Sequence, residues 1–257
     1  MVRVMVLRAA GSNCDLETKF AFEYVGARAD LVHINRLLDG SARLDDYQVL
    51  AIPGGFTYGD DISAGKVLAN QLKIKLAGEL REFHHKGKLI IGICNGFQVL
   101  VKAGLLPTLD FDGEQQVTLT ANDSGKFEDR WVHLQVNNSP CVFTQNGIKT
   151  VYFPVAHAEG KFVPRDETVL QELKRNKQIV FQYVNADGSA PSYPMNPNGS
   201  VEDIAGICDP SGRILGLMPH PERHIHPTHH PQWTRKGMAK EGDGVDIFRN
   251  AVHYFKG

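Results

Sequence analysis

The first hundred residues alternate between two hydrophobic periods. Arg3–Ala9 is a nearly continuous apolar run ending before Gly11, and Asp15–Val25 then carries apolar positions at helical spacing. Ala29–Ile34 and Gln48–Pro53 are short apolar runs, the second closing on Gly54-Gly55. Val67, Leu68, Leu72, Leu76 and Leu80 recur at helical intervals, which predicts one helix over Ala64–Phe83. Lys88–Cys94 is the next strand. Strand and helix in alternation predict an α/β fold: a mostly parallel sheet with helices on both faces. Ligands of such sheets gather beyond the carboxyl ends of the strands, where Gly54-Gly55 and Cys94 fall.

Beyond about residue 107 the pattern changes. Gln115–Thr120 and Trp131–Val136 alternate polar with apolar residues, as half-exposed strands do. Thr150–Val155, Ile179–Asn185, Ile204–Asp209 and Arg213–Met218 continue a strand-rich second half, with a turn at Asp209-Pro210-Ser211-Gly212. Val245–Phe255 reads as a closing helix. The expectation is therefore an antiparallel extension added to the parallel sheet, with residues 1–257 forming one domain and no linker or repeat.

Composition narrows the class. A formal net charge of −1 gives no electrostatic footprint for nucleic acid or an anionic membrane. Arg3 and Arg8 interrupt the first apolar run, which reads as a strand and not as an export signal, and the cytoplasm is the expected location. Four cysteines in a chain of 257 residues do not form a disulfide framework.

One heptad carries candidate chemistry. GICNGFQ (residues 92–98) brackets Cys94 with Gly92 and Gly96 directly after a strand. The pattern is that of the G-x-S-x-G turn, in which small residues let a nucleophile project from a tight strand-to-helix bend, here with sulfur for oxygen. Such a cysteine needs a base, and the base needs an orienting partner. MPHPERH (residues 218–224) offers His220 and Glu222 two residues apart at a strand end. The flanking prolines favour extended backbone, which places both side chains on one face. Pro53-Gly54-Gly55-Phe56 and the N–H of Asn95 are candidate oxyanion donors.

Other features are set aside. Cys141 and Cys208 read as buried structural residues, and Cys14 as a candidate site-lining residue. GGFTYGDDISAGK fails as a phosphate loop, because five residues separate Gly59 from Gly65 and Val67 follows Lys66. The histidine-rich HPERHIHPTHHP (residues 220–231) lacks metal-ligand spacing and reads as a surface loop.

GICNGFQ, PGGFTYGD and the late MPHPER together resemble the class I, triad-type glutamine amidotransferase family, whose sheet is flavodoxin-like. Further pieces, Gly11–Asp15, Arg130-Trp131, Pro154–His157 and Asn196–Ser200, are similar to those of the glutaminase subunits of purine biosynthesis. The resemblance implies Cys94 as nucleophile, His220 as base and Glu222 as its orienting acid. It implies an oxyanion hole bordered by Gly55, Phe56 and Asn95, and glutamine held by Gln98 and Gly54. It further implies a separate synthetase subunit that carries ATP and magnesium and uses the ammonia to make formylglycinamidine ribonucleotide, with room for a third small subunit. No cofactor or metal is implied in this chain. Ala158 and the Ile62-Ser63 pair depart from the family's usual residues. Two rival readings are a self-contained cysteine hydrolase or peptidase on the same sheet and a binding module that kept the fold.

Overall fold

The computed structural model describes residues 1–145 and 147–256. Four strands open the chain: β1 (Arg3–Arg8), β2 (Arg28–His33), β3 (Val49–Ile52) and β4 (Leu89–Ile93). Helix α1 (Asp15–Tyr24) joins β1 to β2, and α2 (Ile34–Leu38) follows β2. Between β3 and β4 the long helix expected over Ala64–Phe83 is two helices, α3 (Lys66–Lys75) and α4 (Ala77–His85). The break falls at Leu76, whose φ of −123° leaves the helical range while its side chain stays buried. Helix α5 (Asn95–Ala103) follows β4 directly.

The second half supplies β5 (Val117–Thr120), β6 (Glu128–Val136), β7 (Thr150–His157), β8 (Lys161–Pro164), helix α6 (Glu167–Arg175), β9 (Ile179–Val184), β10 (Ile204–Cys208) and β11 (Ile214–Leu217). The short α7 (Trp233–Lys236) and α8 (Val245–His253) close the fold. Neither β8 nor α6 figures among the elements expected from the sequence. Yet α6 has a sequence signature, because the Asp166 side chain accepts from the Val169 N–H and caps its first turn.

Among the described residues, nine strands form one sheet in the order β2-β1-β3-β4-β11-β10-β9-β6-β7. The five strands from β2 to β11 run parallel, and β10, β9, β6 and β7 add antiparallel neighbours. The expected extension thus continues the same sheet, while the last strand, β11, returns to pair with β4. Strands β3, β4 and β11 are buried at every position, so both faces are covered. Phe22 of α1 meets Phe248 of α8 edge-on at 4.9 Å, and α3 packs on α5. Strands β5 and β8 form a separate antiparallel ribbon beside α5, with Phe162 stacked 6.4 Å from Phe97. No helix among the described residues is long and apolar enough to cross a membrane.

Candidate active site

Cys94 occupies the bend between β4 and α5 with φ 53° and ψ −107°, a backbone conformation that a non-glycine residue adopts only under constraint. Three hydrogen bonds supply that constraint. The Cys94 N–H donates to the Leu217 carbonyl at 2.8 Å, and its own carbonyl accepts from Phe97 and Gln98 at 3.0 and 3.2 Å. The flanking glycines are required by close approach. A Cβ on Gly96 would lie 1.9 Å from the Ile52 carbonyl oxygen, and one on Gly92 2.6 Å from the Gly96 oxygen.

His220 follows β11, the parallel neighbour of β4, so two adjacent strand ends deliver residues far apart in sequence. Its N–H donates to the Pro154 carbonyl at 2.9 Å. His220 Nδ1 lies 2.6 Å from Glu222 Oε1, and both side chains are buried. The two do share a side, but not through extended chain: Pro221–Arg223 form a short 3₁₀ turn that curls Glu222 back under the imidazole. A Cβ placed on Gly54 would sit 2.9 Å from His220 Cε1, 3.1 Å from Cys14 Sγ and 3.4 Å from Cys94 Cβ. The imidazole and both thiols therefore converge on the side-chain-free face of Gly54. His220 Nε2 is buried and makes no hydrogen bond among the described residues. Burial pushes this imidazole toward neutrality, but the Glu222 carboxylate and the Cys94 sulfur outweigh it and hold His220 well above the usual imidazole range. Thiol, imidazole and carboxylate in this order can generate a nucleophile and shuttle its proton.

The glycine turn after β3 only partly meets expectation. The Phe56 N–H donates to the Gly11 carbonyl at 2.9 Å, so it is occupied and does not face a ligand as an oxyanion donor. Gly55 has φ 144°, and a Cβ there would lie 2.7 Å from the Gly11 oxygen. Its N–H makes no hydrogen bond among the described residues, and the Asn95 N–H, first in α5, has no partner within its helix. Gly55 lines the same cavity as Cys94, and Asn95 follows Cys94 directly in the chain. Gln98 is buried with both ends engaged: Nε2 donates to the Glu159 carbonyl at 2.5 Å, and Oε1 accepts from Asn95 Nδ2 at 3.0 Å. Its side chain lines the cavity with its amide oxygen and nitrogen both engaged within the protein. The cavity at Cys94 is lined by Gly55, Phe56, Asp60, Gln98 and the segment 156–159.

Residues without a role in the sequence reading hold that last segment. His157 is buried, with Nδ1 3.1 Å from Asn122 Oδ1 and Nε2 3.4 Å from Asn198 Nδ2. Asn198 Nδ2 also donates to the Gly160 carbonyl, and Asn122 Nδ2 to the His157 carbonyl. Three loops thus meet on one imidazole, which no local spacing in the chain foretells. The substitution Ala158 is accommodated because that side chain is exposed. Burial, then the nearby charge of His220, pushes the His157 imidazole down to about 4. Between that value and the ordinary 6.5, the unfolded chain binds the proton that the folded protein refuses. Stability is therefore full above pH 6.5 and falls as the pH drops toward 4. His157→Gln is expected to reduce the loss over this window by about 2–3 kcal/mol, read as the difference between urea-unfolding free energies at pH 7 and pH 4.

Cys14 is buried beside His220, as the sequence suggested, and Arg223 Nη2 lies 3.1 Å from its sulfur. Donor atoms of Cys14, His220 and Glu222 lie within 4.8 Å of one another. The Arg223 guanidinium on the sulfur and the Glu222–His220 hydrogen bond make this set unsuited to a cation. Cys141 and Cys208 are buried, and their thiols adjoin each other. The histidine-rich segment is not wholly a surface loop: His224 is buried with Nδ1 2.8 Å from the Tyr152 carbonyl. His226 packs on the Phe20 and Tyr24 rings, and His230 on Trp131 and Tyr152.

Comparison with known proteins places this geometry. Residues 1–255 match the family model of the CobB/CobQ-like glutamine amidotransferase domain. The phosphoribosylformylglycinamidine synthase subunit PurQ of Dehalococcoides mccartyi is 51% identical over 255 residues, spanning 98% of this chain and 97% of that protein. The PurQ subunit of Methanococcus maripaludis is 47% identical over 267 residues, with coverage of 98% and 97%. The structure of PurLQS from Thermotoga maritima superposes with a TM-score of 0.75 at 34% identity, covering 99% of each chain. The glutaminase domain of Trypanosoma brucei CTPS, 13% identical with a TM-score of 0.57, shares the fold. With its strained cysteine at the end of β4, the chain belongs to the CobB/CobQ-like glutamine amidotransferase family, in the branch of PurQ glutaminase subunits.

Proposed function

We propose that residues 1–257 act as one glutamine amidotransferase domain that hydrolyses L-glutamine and supplies the ammonia to a phosphoribosylformylglycinamidine synthetase partner in purine biosynthesis. The observation that carries this reading is the constrained Cys94 bend facing a buried His220–Glu222 pair 2.6 Å apart. Its support comes also from PurQ relatives that match nearly the full chain.

In this mechanism the Cys94 thiolate, with the His220 imidazolium as its counter-ion, attacks the side-chain amide carbon of glutamine. The oxyanion that forms accepts hydrogen bonds from the N–H groups of Gly55 and Asn95. His220 gives its proton to the amide nitrogen, the C–N bond breaks and ammonia leaves a γ-glutamyl thioester on Cys94. Water, losing a proton to His220, attacks the thioester; the C–S bond breaks and glutamate departs. Glu222 keeps the imidazole oriented through both halves and stabilises its charged form whenever His220 holds the proton. The ammonia passes to the synthetase subunit, where ATP and magnesium are bound, in a cytoplasmic complex that includes a third small subunit.

A chloroketone analogue of glutamine tests the assignment directly. Cys94 is expected to be alkylated at least tenfold faster than Cys14, Cys141 or Cys208, read by peptide mass mapping, with glutamine protecting it. Even labelling of all four thiols overturns the role of Cys94. Glutamate release is expected to be weak for the chain alone and strongly stimulated by the synthetase.

A further inference from the structure

Asn95 contributes more than its backbone. The residue is 1% exposed, and all four hydrogen-bonding positions of its side chain are filled. Oδ1 accepts from the Thr57 N–H at 3.3 Å and from Thr57 Oγ1 at 2.6 Å. Nδ2 donates to Asp60 Oδ1 at 3.1 Å and to Gln98 Oε1 at 3.0 Å. The residue next to Cys94 therefore ties down a loop in which Tyr58, Gly59 and Asp60 all have positive φ, at 56°, 70° and 54°. Such a loop holds its shape only where its surroundings over-determine it. What the ties deliver is the Asp60 carboxylate, to the wall of the cavity that contains Cys94.

Among the described residues, that carboxylate has no salt-bridge partner. Burial and the charge of Glu159, on the same wall, both push Asp60 above the usual carboxylate range. Lys102 is the nearby cation, and its ammonium is directed to the Ser63 hydroxyl at 3.1 Å and the Ala64 carbonyl at 2.5 Å. A half-buried anion with no salt-bridge partner, in a substrate cavity, is balanced once the substrate brings a positive charge. In glutamine, four bonds separate the amide carbon attacked by sulfur from an α-ammonium.

We propose that Asp60 is the specificity-determining residue that receives the α-ammonium of glutamine, held in place by the Asn95 side chain. The inference rests on the glutaminase reading and deepens it. Glu159 adds negative charge to the same end of the pocket.

Asp60→Asn removes the charge while its amide oxygen still accepts from Asn95, and any loss of the Gly65 N–H contact affects both substrates alike. Glutamate release in the complex with the synthetase is measured with glutamine and, for the same amide bond without the α-amino group, with 4-carbamoylbutanoate monitored as glutarate. Asp60→Asn is expected to lower kcat/KM for glutamine about 100-fold, mainly through KM, with kcat/KM for 4-carbamoylbutanoate unchanged or raised. A parallel fall for both substrates assigns Asp60 to loop structure and overturns the inference. The wild-type complex gives a second check that needs no variant: equal kcat/KM for the two substrates overturns it as well. Absence of any glutamate release from the wild-type complex overturns the glutaminase reading instead, a result distinguishable from either of these.

Discussion

Cys94→Ala is expected to lower glutamine-dependent synthesis by the complex on the order of a millionfold, while synthesis driven by added ammonium salt continues. The size follows from the site working as a unit: once the nucleophile is gone, the base and its carboxylate have no proton to move. His220→Ala is expected to fall nearly as far, and the double variant no further. The fold should survive, since alanine removes one buried sulfur and leaves the backbone hydrogen bonds from residue 94 to Leu217, Phe97 and Gln98 in place. The measurement is glutamate and amidine formation in parallel, with glutamine or ammonium as nitrogen source. Retention of glutamine-dependent synthesis in Cys94→Ala rules out the thioester route.

The second large effect is on stability. Gly96→Ala inserts a methyl 1.9 Å from the Ile52 oxygen and 2.8 Å from its carbonyl carbon. Those atoms belong to the backbone of β3 and cannot turn aside as a side chain can, so α5 must lift off the sheet. A loss of about 4 kcal/mol is expected, a large share of the total for a domain of this kind. Gly78→Ala is the matched control. It lies in α4 with nothing within 4 Å of the added methyl, and should gain about 0.5–1 kcal/mol from helix propensity alone. Urea unfolding of the two variants beside the parent measures both. Equal small changes would mean that the glycine bracket around Cys94 is not sterically demanded.

Much of the site was legible because its chemistry is written in short local strings. The bracket around Cys94 and the proline-flanked His220 and Glu222 both name strand ends, and strand ends of a parallel sheet meet. The His220–Glu222 pairing has a different cause from the one the spacing suggests. Alternation along an extended segment explains it less well than the 3₁₀ turn that Pro221 initiates. The occupied N–H of Phe56 was invisible too, because its acceptor, Gly11, belongs to a different loop. His157 and Asp60 escaped for the same reason: each depends on partners brought from other parts of the chain. In the fold, the alternation of short apolar runs located the parallel strands. The break at Leu76 left no mark, since a buried leucine satisfies the helical period on either side of it. Helix α6 was overlooked although Asp166, Val169, Leu170 and Leu173 spell a cap and an apolar stripe.

The pairing of β4 with β11 has a wider consequence. Ile93 stands opposite Leu217 and Gly92 opposite Gly216, so the ladder itself sets how far the sulfur lies from the imidazole. Between those two strands, the stretches other than Asn95, Gln98 and the cavity wall at 156–159 can lengthen, shrink or acquire new loops without retuning the reaction, provided the two rails stay in step. Diversification toward different ammonia-consuming companions is thereby decoupled from the chemistry that releases the ammonia.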